Sequence, residues 1–139
     1  MNYWIFQSKK DRYDISNPEV LFDGMEGYWV ANQYRSEMMI GDKVFFWLAG
    51  DKSYRGIYGW GELTSAPYQW ESDGKKGYSV DIKCIERLNE YISVLEVREK
   101  SKLQNLQILN MAIGSNFLLN SSEGKELERI IAKTKQKEA

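Results

Sequence analysis

The chain contains no histidine, which removes the commonest general base and the commonest metal ligand of proteins. Its single cysteine, Cys84, cannot form an intramolecular disulfide, and the alternating residues around it predict a small buried apolar side chain. A thiol protease and a Cys/His zinc site are therefore excluded. We expect neither a metal nor a cofactor.

A strong positive charge is also missing, since the formal net charge is −1. No global positive field draws the protein to nucleic acid, so we expect weak binding to unmodified DNA or RNA with a shallow salt dependence. A module that contacts few nucleotides, and takes further affinity from a partner such as an effector protein, stays compatible with this charge.

Long apolar runs are absent too, and none approaches the roughly 20 residues of a membrane-spanning helix. Residues 1–4 lack the basic and apolar regions of a signal peptide. The sequence therefore predicts a cytoplasmic protein with no membrane partner.

Aromatic residues are abundant, at 14% of the chain, and they are unevenly placed. The tryptophans all lie within residues 1–70, at Trp4, Trp29, Trp47, Trp60 and Trp70. A chain that needed aromatic side chains only for bulk would not have to segregate them. The distribution favours a recognition surface or pocket built by this half of the chain.

Strand patterns dominate the centre of the chain. The apolar or alternating runs 3–6, 43–49 and 78–85 predict strands. The run 54–65 carries interior glycines, which weaken a regular strand, so we expect a kink or bulge there. The polar stretch 71–77 is typical of a loop.

Helix patterns lie at the margins. We expect a short helix over 18–22 with Asn17 as its N-cap, and a helical turn over 101–105. The run 92–97 fits a strand or a helix. A closing helix is predicted after Ser121 and Ser122 as caps, with Leu127, Ile130 and Ile131 on its apolar face.

These patterns predict an α+β protein built round a small, strongly bent mixed sheet or pseudo-barrel with flanking short helices. The length of 139 residues fits one domain. We place that domain at residues 1–135, followed by a frayed, charged tail over 136–139.

Several short motifs in a fixed order resemble the EVE domain family. They are Tyr-Trp-Ile at 3–5, Gly-Asp-Lys-Val-Phe-Phe-Trp at 41–47, Arg-Gly-Ile-Tyr-Gly-Trp-Gly-Glu at 55–62, and Gly-Ser-Asn-Phe at 114–117 before a closing helix. EVE domains are a branch of the PUA-like superfamily and are similar to YTH domains. The resemblance covers nearly the whole chain.

The resemblance implies a pseudo-barrel whose strands enclose a pocket for one extruded base. Restriction-associated bacterial EVE domains read modified cytosine, and YTH relatives read methylated adenine. We therefore expect a nucleic-acid-binding module, and not an enzyme, that holds one flipped-out, modified base, methylated or similar. Such a pocket must restore the stacking and edge hydrogen bonds that the base loses.

The same resemblance implies the site residues. Trp29 and Trp47 match the two pocket walls, with their rings facing each other across a gap for a planar base. Glycines and polar residues flank Trp29, so we also expect its ring to be partly exposed. The expected readers of the base edge are Gln7, Ser8, Asn32, and the backbone at Ala49 and Gly50. The expected backbone or phosphate contacts are Lys9, Lys10, Arg12, Arg35 and Lys52.

Two other classes of function stay open. A PUA-like adaptor could use the same pocket for a nucleotide-like small molecule or a protein partner. A small hydrolase using carboxylates and tyrosines is disfavoured by the lack of histidine, of a P-loop and of a glycine-rich dinucleotide motif. DNA and RNA are both open as partners.

Overall fold

The computed structural model describes residues 1–111 and 113–138, and their side chains as far as residue 135. A seven-stranded sheet forms the centre of the fold. The strands are β1 (Tyr3–Lys9), β2 (Glu26–Val30), β3 (Lys43–Ala49), β4 (Gly56–Leu63), β5 (Tyr68–Ser72), β6 (Lys75–Ser93) and β7 (Asn116–Leu119). The helices are α1 (Val94–Arg98), α2 (Gln107–Asn110) and α3 (Ser121–Glu138), with single 3₁₀ turns at Arg35–Glu37 and Ser101–Leu103.

The strand order is β2-β6-β4-β3-β1-β7, and β5 pairs with β6. The β1 and β3 strands run parallel, and the other pairs are antiparallel. The sheet curls into a half-barrel, so that its two end strands, β2 and β7, approach each other. The α+β class with a strongly bent sheet, predicted from the sequence, is confirmed.

Glycines in β4 allow the sheet to bend. The register between β4 and β6 shifts between Ile57 and Gly59, and again between Trp60 and Gly61. A Cβ atom on Gly61 would lie 2.0 Å from the carbonyl oxygen of Lys83, so no larger residue fits this close approach of two backbones. The predicted kink in this strand is confirmed.

Each face of the sheet carries its own apolar core. One core includes Phe45 and Trp47, and it is covered by the helical segments, with Leu103, Leu106 and Ile108 buried as the sequence predicts. The other core lies inside the curl. The strict alternation of a strand puts neighbouring residues of β3 into different cores.

The sheet centre also contains Cys84, which pairs with Gly61 and is fully buried. Burial is the main reason that the pKa of its thiol is raised to about 12. The prediction of a small buried apolar residue here is confirmed.

The predicted helix over 18–22 is wrong. Asn17 does cap a turn, since its side-chain oxygen accepts from the N–H of Glu19 at 2.9 Å and its carbonyl accepts from Val20 at 2.9 Å. The turn does not propagate into a helix. Instead, the Arg87 guanidinium donates to the carbonyl oxygens of the surrounding segment, at Ile15, Ser16 and Leu21.

The predicted loop over 71–77 is also wrong, because a tight hairpin joins β5 to β6. Asp73 and Gly74 form its turn, with φ of 50° and 76°. Positive φ at both central residues is the type I′ geometry that Asp-Gly favours between twisted strands. Cross-strand pairing then runs from Ser72 and Lys75 back to Tyr68 and Ser79.

At the start of α3, the N-cap is Asn120, one residue earlier than predicted. Its side-chain oxygen accepts from the N–H of Glu123 at 2.8 Å, and the Glu123 carboxylate accepts from the N–H of Asn120 at 2.9 Å. This reciprocal pair is a capping box. The predicted apolar face of the helix is buried. The frayed tail over 136–139 stays a prediction, and Ala139 lies outside the described residues.

Candidate functional site

A pocket of about 660 Å³ opens at the seam of the curled sheet, between the edge strand β2 and the end of β1. The lining comes from five short stretches, namely residues 7–9, 12–13, 27–30, 32–33 and 113–115. Gln7, Ser8, Trp29, Asn32, Lys9 and Arg12, which the sequence singled out as site residues, all lie there.

Trp29 forms the inner wall of this seam pocket. Its indole N–H donates to the carbonyl oxygen of Gln7 at 3.3 Å, and its ring packs edge-on against Tyr13, with centroids 5.5 Å apart. Behind it lies Phe46, also at 5.5 Å. Trp29 is only 5% exposed, so the expectation of a partly exposed ring is wrong. The ring closes the curl and presents little of its surface to the pocket.

Trp47 is not a pocket wall, and the predicted pair of facing indole rings is wrong. Trp47 is fully buried in the core on the opposite face of the sheet, beside Ile57 and Phe117. Since Phe46 contacts Trp29, its neighbour Trp47 must point the other way. The indole instead lies 5.7 Å from the Arg55 guanidinium.

The remaining predicted site residues lie outside the pocket, at the end of β3 and in the turns that follow β1, β2 and β3. Ala49 and Gly50 are absent from the pocket lining, and a Cβ on Gly50 would lie 2.5 Å from the Tyr54 hydroxyl. Lys10 sits over the Tyr54 ring at 4.4 Å. Arg35 stacks on Tyr78 at 3.9 Å, and Lys52 is an exposed turn residue. None of these residues lines the seam pocket.

One residue of the pocket lining, Ser8, has a buried hydroxyl that the fold leaves unused. Ser8 is 9% exposed, and its Oγ has no hydrogen-bond partner among the described residues. A buried hydroxyl without a partner is unfavourable and calls for an explanation such as a ligand or a bound water. Ser8 lies on β1 at the level of Leu48 on β3, one residue beyond the contact between Gln7 and Trp29.

Two amide side chains close the seam next to the pocket. Asn116, which is buried, donates to the Val30 carbonyl at 2.9 Å and accepts from the N–H of Asn32 and of Gln33 at 2.8 and 3.2 Å. The side-chain oxygen of Gln33 accepts in turn from the N–H groups of Ser115 and Asn116, both at 3.1 Å. We call Asn116 and Gln33 the amide clamp. Their side-chain hydrogen bonds connect the end of β2 to the start of β7, where no strand ladder is formed among the described residues.

Sequence reasoning missed the amide clamp and two tyrosines of the pocket. Tyr13 and Tyr28 both line it, and burial raises the pKa of Tyr13. The signal for Tyr28 was its place next to Trp29 in the chain, which puts it on the same edge strand. Asn116 gave no signal beyond its place in the Gly-Ser-Asn-Phe motif.

Neither a metal centre nor a membrane span is found in the described parts of the chain. Residues 1–111 and 113–138 hold no group of three or more metal-ligating side chains placed to bind an ion. Over the same residues, no helix combines the length and apolar character needed to cross a bilayer.

A curled mixed sheet with a few short helices, together with a pocket at its seam, defines a protein of the PUA-like α+β class. Within that class, the EVE domain family matches residues 2–130, and the chain belongs to this family. The resemblance that the sequence motifs indicate is therefore confirmed. No curated protein sequence matches the chain.

Several solved structures share the fold. A hypothetical protein from Leishmania major is 19% identical, with a TM-score of 0.75 and 97% of each chain covered. Human THYN1, solved in complex with DNA containing 5-methylcytosine, is 14% identical, with a TM-score of 0.69 and coverage of 96% of this chain and 98% of its own. The Mmi1 YTH domain, solved in complex with RNA, is 16% identical, with a TM-score of 0.56 and coverage of 99% and 81%.

Proposed function

We propose that this EVE domain binds nucleic acid and holds one flipped-out, modified base in the seam pocket. The observation that carries the proposal is the seam pocket, which Trp29 and Tyr13 border and whose lining includes Ser8, a residue with a buried hydroxyl that has no partner among the described residues. A base removed from its stack needs new hydrogen bonds along its edge. We expect the Ser8 side chain to rotate on binding, so that its unused hydroxyl reaches the pocket surface and makes such a bond.

The dimensions and composition of the pocket suit a nucleoside. Its volume of about 660 Å³ lies within the roughly 300–1,000 Å³ of small-molecule sites. Aromatic side chains lie beside polar groups, as a planar, hydrogen-bonding ligand requires. Tyr13 supplies ring surface beside Trp29, Tyr28 lies at the outer edge of the pocket, and Ser8 and Asn32 are polar residues of the lining.

The rim supplies positive charge where a phosphate would lie. Lys9 and Arg12 line the mouth of the pocket, and they are the basic residues among its described lining. Two cations can position the phosphate backbone of a nucleic acid, but they contribute little to the affinity for it. Affinity for unmodified strands is therefore weak, as the net charge of −1 also indicates.

The comparisons support the same class of ligand. Human THYN1 was solved with DNA that contains 5-methylcytosine, and the Mmi1 YTH domain with RNA. Both proteins share the fold of this chain. We infer a binding module that recognises its base without chemical change.

The test is a titration of the protein with free nucleosides, followed by tryptophan fluorescence and calorimetry. The panel contains 5-methylcytidine, N6-methyladenosine and their unmodified parents, each as ribo- and deoxyribonucleoside. We expect one modified nucleoside to bind at least about 10-fold more tightly than its parent, the discrimination that about 1.4 kcal/mol gives. If no nucleoside binds, or if parent and modified forms bind equally, the proposal is wrong.

Ser8→Ala is the matched variant. Removing a hydroxyl that has no partner should leave the free energy of unfolding within about 0.5 kcal/mol of wild type, or raise it. Binding of the preferred nucleoside should fall by about 5-fold to 10-fold, because one hydrogen bond of about 1 kcal/mol is lost. Unchanged affinity in this variant would remove Ser8 from the site.

A further inference from the structure

Three exposed aromatic residues, of which Tyr28 also lines the pocket, lie on one surface of the sheet. Tyr28 on β2 is 71% exposed, Tyr68 on β5 is 39% exposed, and Trp70 on β5 is 40% exposed. Aromatic side chains of this size are normally buried, and a contiguous exposed group of them marks a binding surface.

The strand register puts all three rings on the same face. Tyr28 pairs with Asp81, Tyr68 with Ser79 and Trp70 with Gly77, and these partners follow one another at alternate positions of β6. Directly paired residues share a face, and alternate residues of one strand do as well. The rings therefore form an outer aromatic strip (Tyr28, Tyr68 and Trp70), on the side of the sheet that Trp29 does not face.

Two contacts hold the strip in place. The Tyr68 hydroxyl donates to the Asp81 carboxylate at 2.6 Å, which fixes the ring across β6 towards Tyr28. The Trp70 ring lies against Gly77, where an added Cβ would be 2.6 Å from its Cζ2 atom. Because Gly77 has no side chain, the Trp70 indole packs directly against its backbone, and the ring remains 40% exposed.

The strip begins at the pocket and ends at a positive charge. Tyr28 belongs both to the strip and to the pocket lining. Beyond Trp70 on the same face lies Lys75, whereas Glu71 points to the other face of the hairpin. The strip extends for about 15 Å, as estimated from strand spacing and rise.

We infer that the outer aromatic strip stacks the unpaired nucleotides that flank the base in the pocket, so that the natural ligand is a single-stranded segment. This inference rests on the proposed function. Ring faces attract bases whose own faces are free, and in a duplex those faces are covered by neighbouring base pairs. Stacking also suits a protein with little net charge, because it needs no basic groove.

The experiment compares ligands that reach the strip with ligands that do not. The ligands are the free 5-methylcytosine deoxynucleoside, a single strand of about nine nucleotides with 5-methylcytosine at its centre, the same strand with cytosine, and the matching duplex. The proteins are wild type, Trp70→Ala, Gly77→Ala and Phe22→Ala. Phe22 is an exposed aromatic residue outside both the strip and the pocket lining, and it serves as the control.

We expect Trp70→Ala to weaken single-strand binding by about 5-fold to 100-fold, the range for loss of one base–aromatic stack, and to leave nucleoside binding unchanged. Gly77→Ala keeps every aromatic ring but displaces the Trp70 indole, so it should weaken single-strand binding in the same direction. Phe22→Ala should change neither affinity. Strands with 5-iododeoxyuridine beside the central base should photo-crosslink to Tyr68 or Trp70 in wild type.

The outcomes separate this inference from the proposed function. Equal single-strand affinity in wild type and Trp70→Ala overturns the strip, and so does a duplex that binds as tightly as the single strand. Single-strand binding that depends on Trp70 but not on methylation, with no nucleoside bound, supports the strip and overturns the pocket. If wild type binds neither strand nor nucleoside, both are wrong.

Discussion

The two faces of the sheet bury similar aromatic residues and close their cores in different ways. On one face, helical segments cover Trp47, and the core is complete. On the other, the curl of the sheet encloses Trp29, and its end strands meet through the amide clamp rather than through a ladder. A covered face has no seam, whereas a curled face has one, and that seam is where the pocket lies. A tryptophan therefore contributes to the pocket only on the face of the sheet that is enclosed by curling, and not on the face that is covered by helices.

The largest effect should come from the covered face. Trp47→Ala should lower the free energy of unfolding by about 3–5 kcal/mol, because it empties a fully buried ring position. Urea titration of the variant measures this loss. Trp47→Phe is the control, since it retains most of the bulk and removes an indole N–H that has no partner among the described residues. Loss of nucleoside binding in a stable Trp47→Phe protein would contradict the contrast between the faces.

The seam face should respond to a smaller change with a loss of function. Asn116→Ala leaves the Val30 carbonyl and the N–H of Asn32 without their partners. Unpaired groups of this kind cost about 1–3 kcal/mol each where they are buried, so we expect about 2–3 kcal/mol of destabilisation and a clear loss of nucleoside affinity. Asn116→Asp keeps the acceptor oxygen but replaces the donor by an oxygen that faces the Val30 carbonyl in a buried site, so it should rescue neither loss. Binding that survives Asn116→Ala would show that the clamp does not shape the pocket.

The smallest effect should be a dependence of stability on pH, which comes from Glu128 in the helix α3 on the covered face. Burial tends to raise the pKa of Glu128, but hydrogen bonds from Lys43 at 2.6 Å and Tyr3 at 2.7 Å lower it on balance. A lowered folded-state pKa means that the stabilisation is present above the ordinary value of about 4.5 and is lost as pH falls through the folded value. Because the group is partly exposed, we expect no more than about 1 kcal/mol.

Unfolding by urea at a series of pH values from about 3 to 7 measures the contribution of the Glu128 carboxylate to the free energy of unfolding. Glu128→Gln should be less stable than wild type near neutral pH, and the difference should shrink towards the acid end. A difference that stays constant over the whole range would assign the effect to packing and not to the carboxylate charge.

The sequence predicted the fold well where local pattern determines structure. The strand over 43–49 has its predicted bounds, because a nearly unbroken apolar run fits a strand buried on both faces. The kink in β4 followed from the glycines alone. The hairpin at Asp73 and Gly74 was also readable from a favoured turn pair, but its polar flanks were interpreted as a loop.

The site was predictable only in part, because its form depends on contacts between distant segments. Gln7, Ser8 and Asn32 lie in the lining of the seam pocket, and their role as readers of the base edge stays a prediction. The prediction that Trp47 is a pocket wall was wrong because the surroundings of this ring depend on which face of the sheet the helices cover, and no local pattern specifies that. Asn116 was missed because its partners lie about 85 residues away along the chain, at Val30 and Asn32.

The buried thiol at the sheet centre gives this protein a practical property. Only the thiolate reacts readily with alkylating reagents, and Cys84 is both inaccessible and held protonated by its high pKa. Maleimide dyes should therefore ignore the native protein, and a cysteine introduced at an exposed position would be labelled alone without removal of Cys84. Conversely, the rate at which Cys84 itself is slowly modified would measure how often β4 and β6 separate.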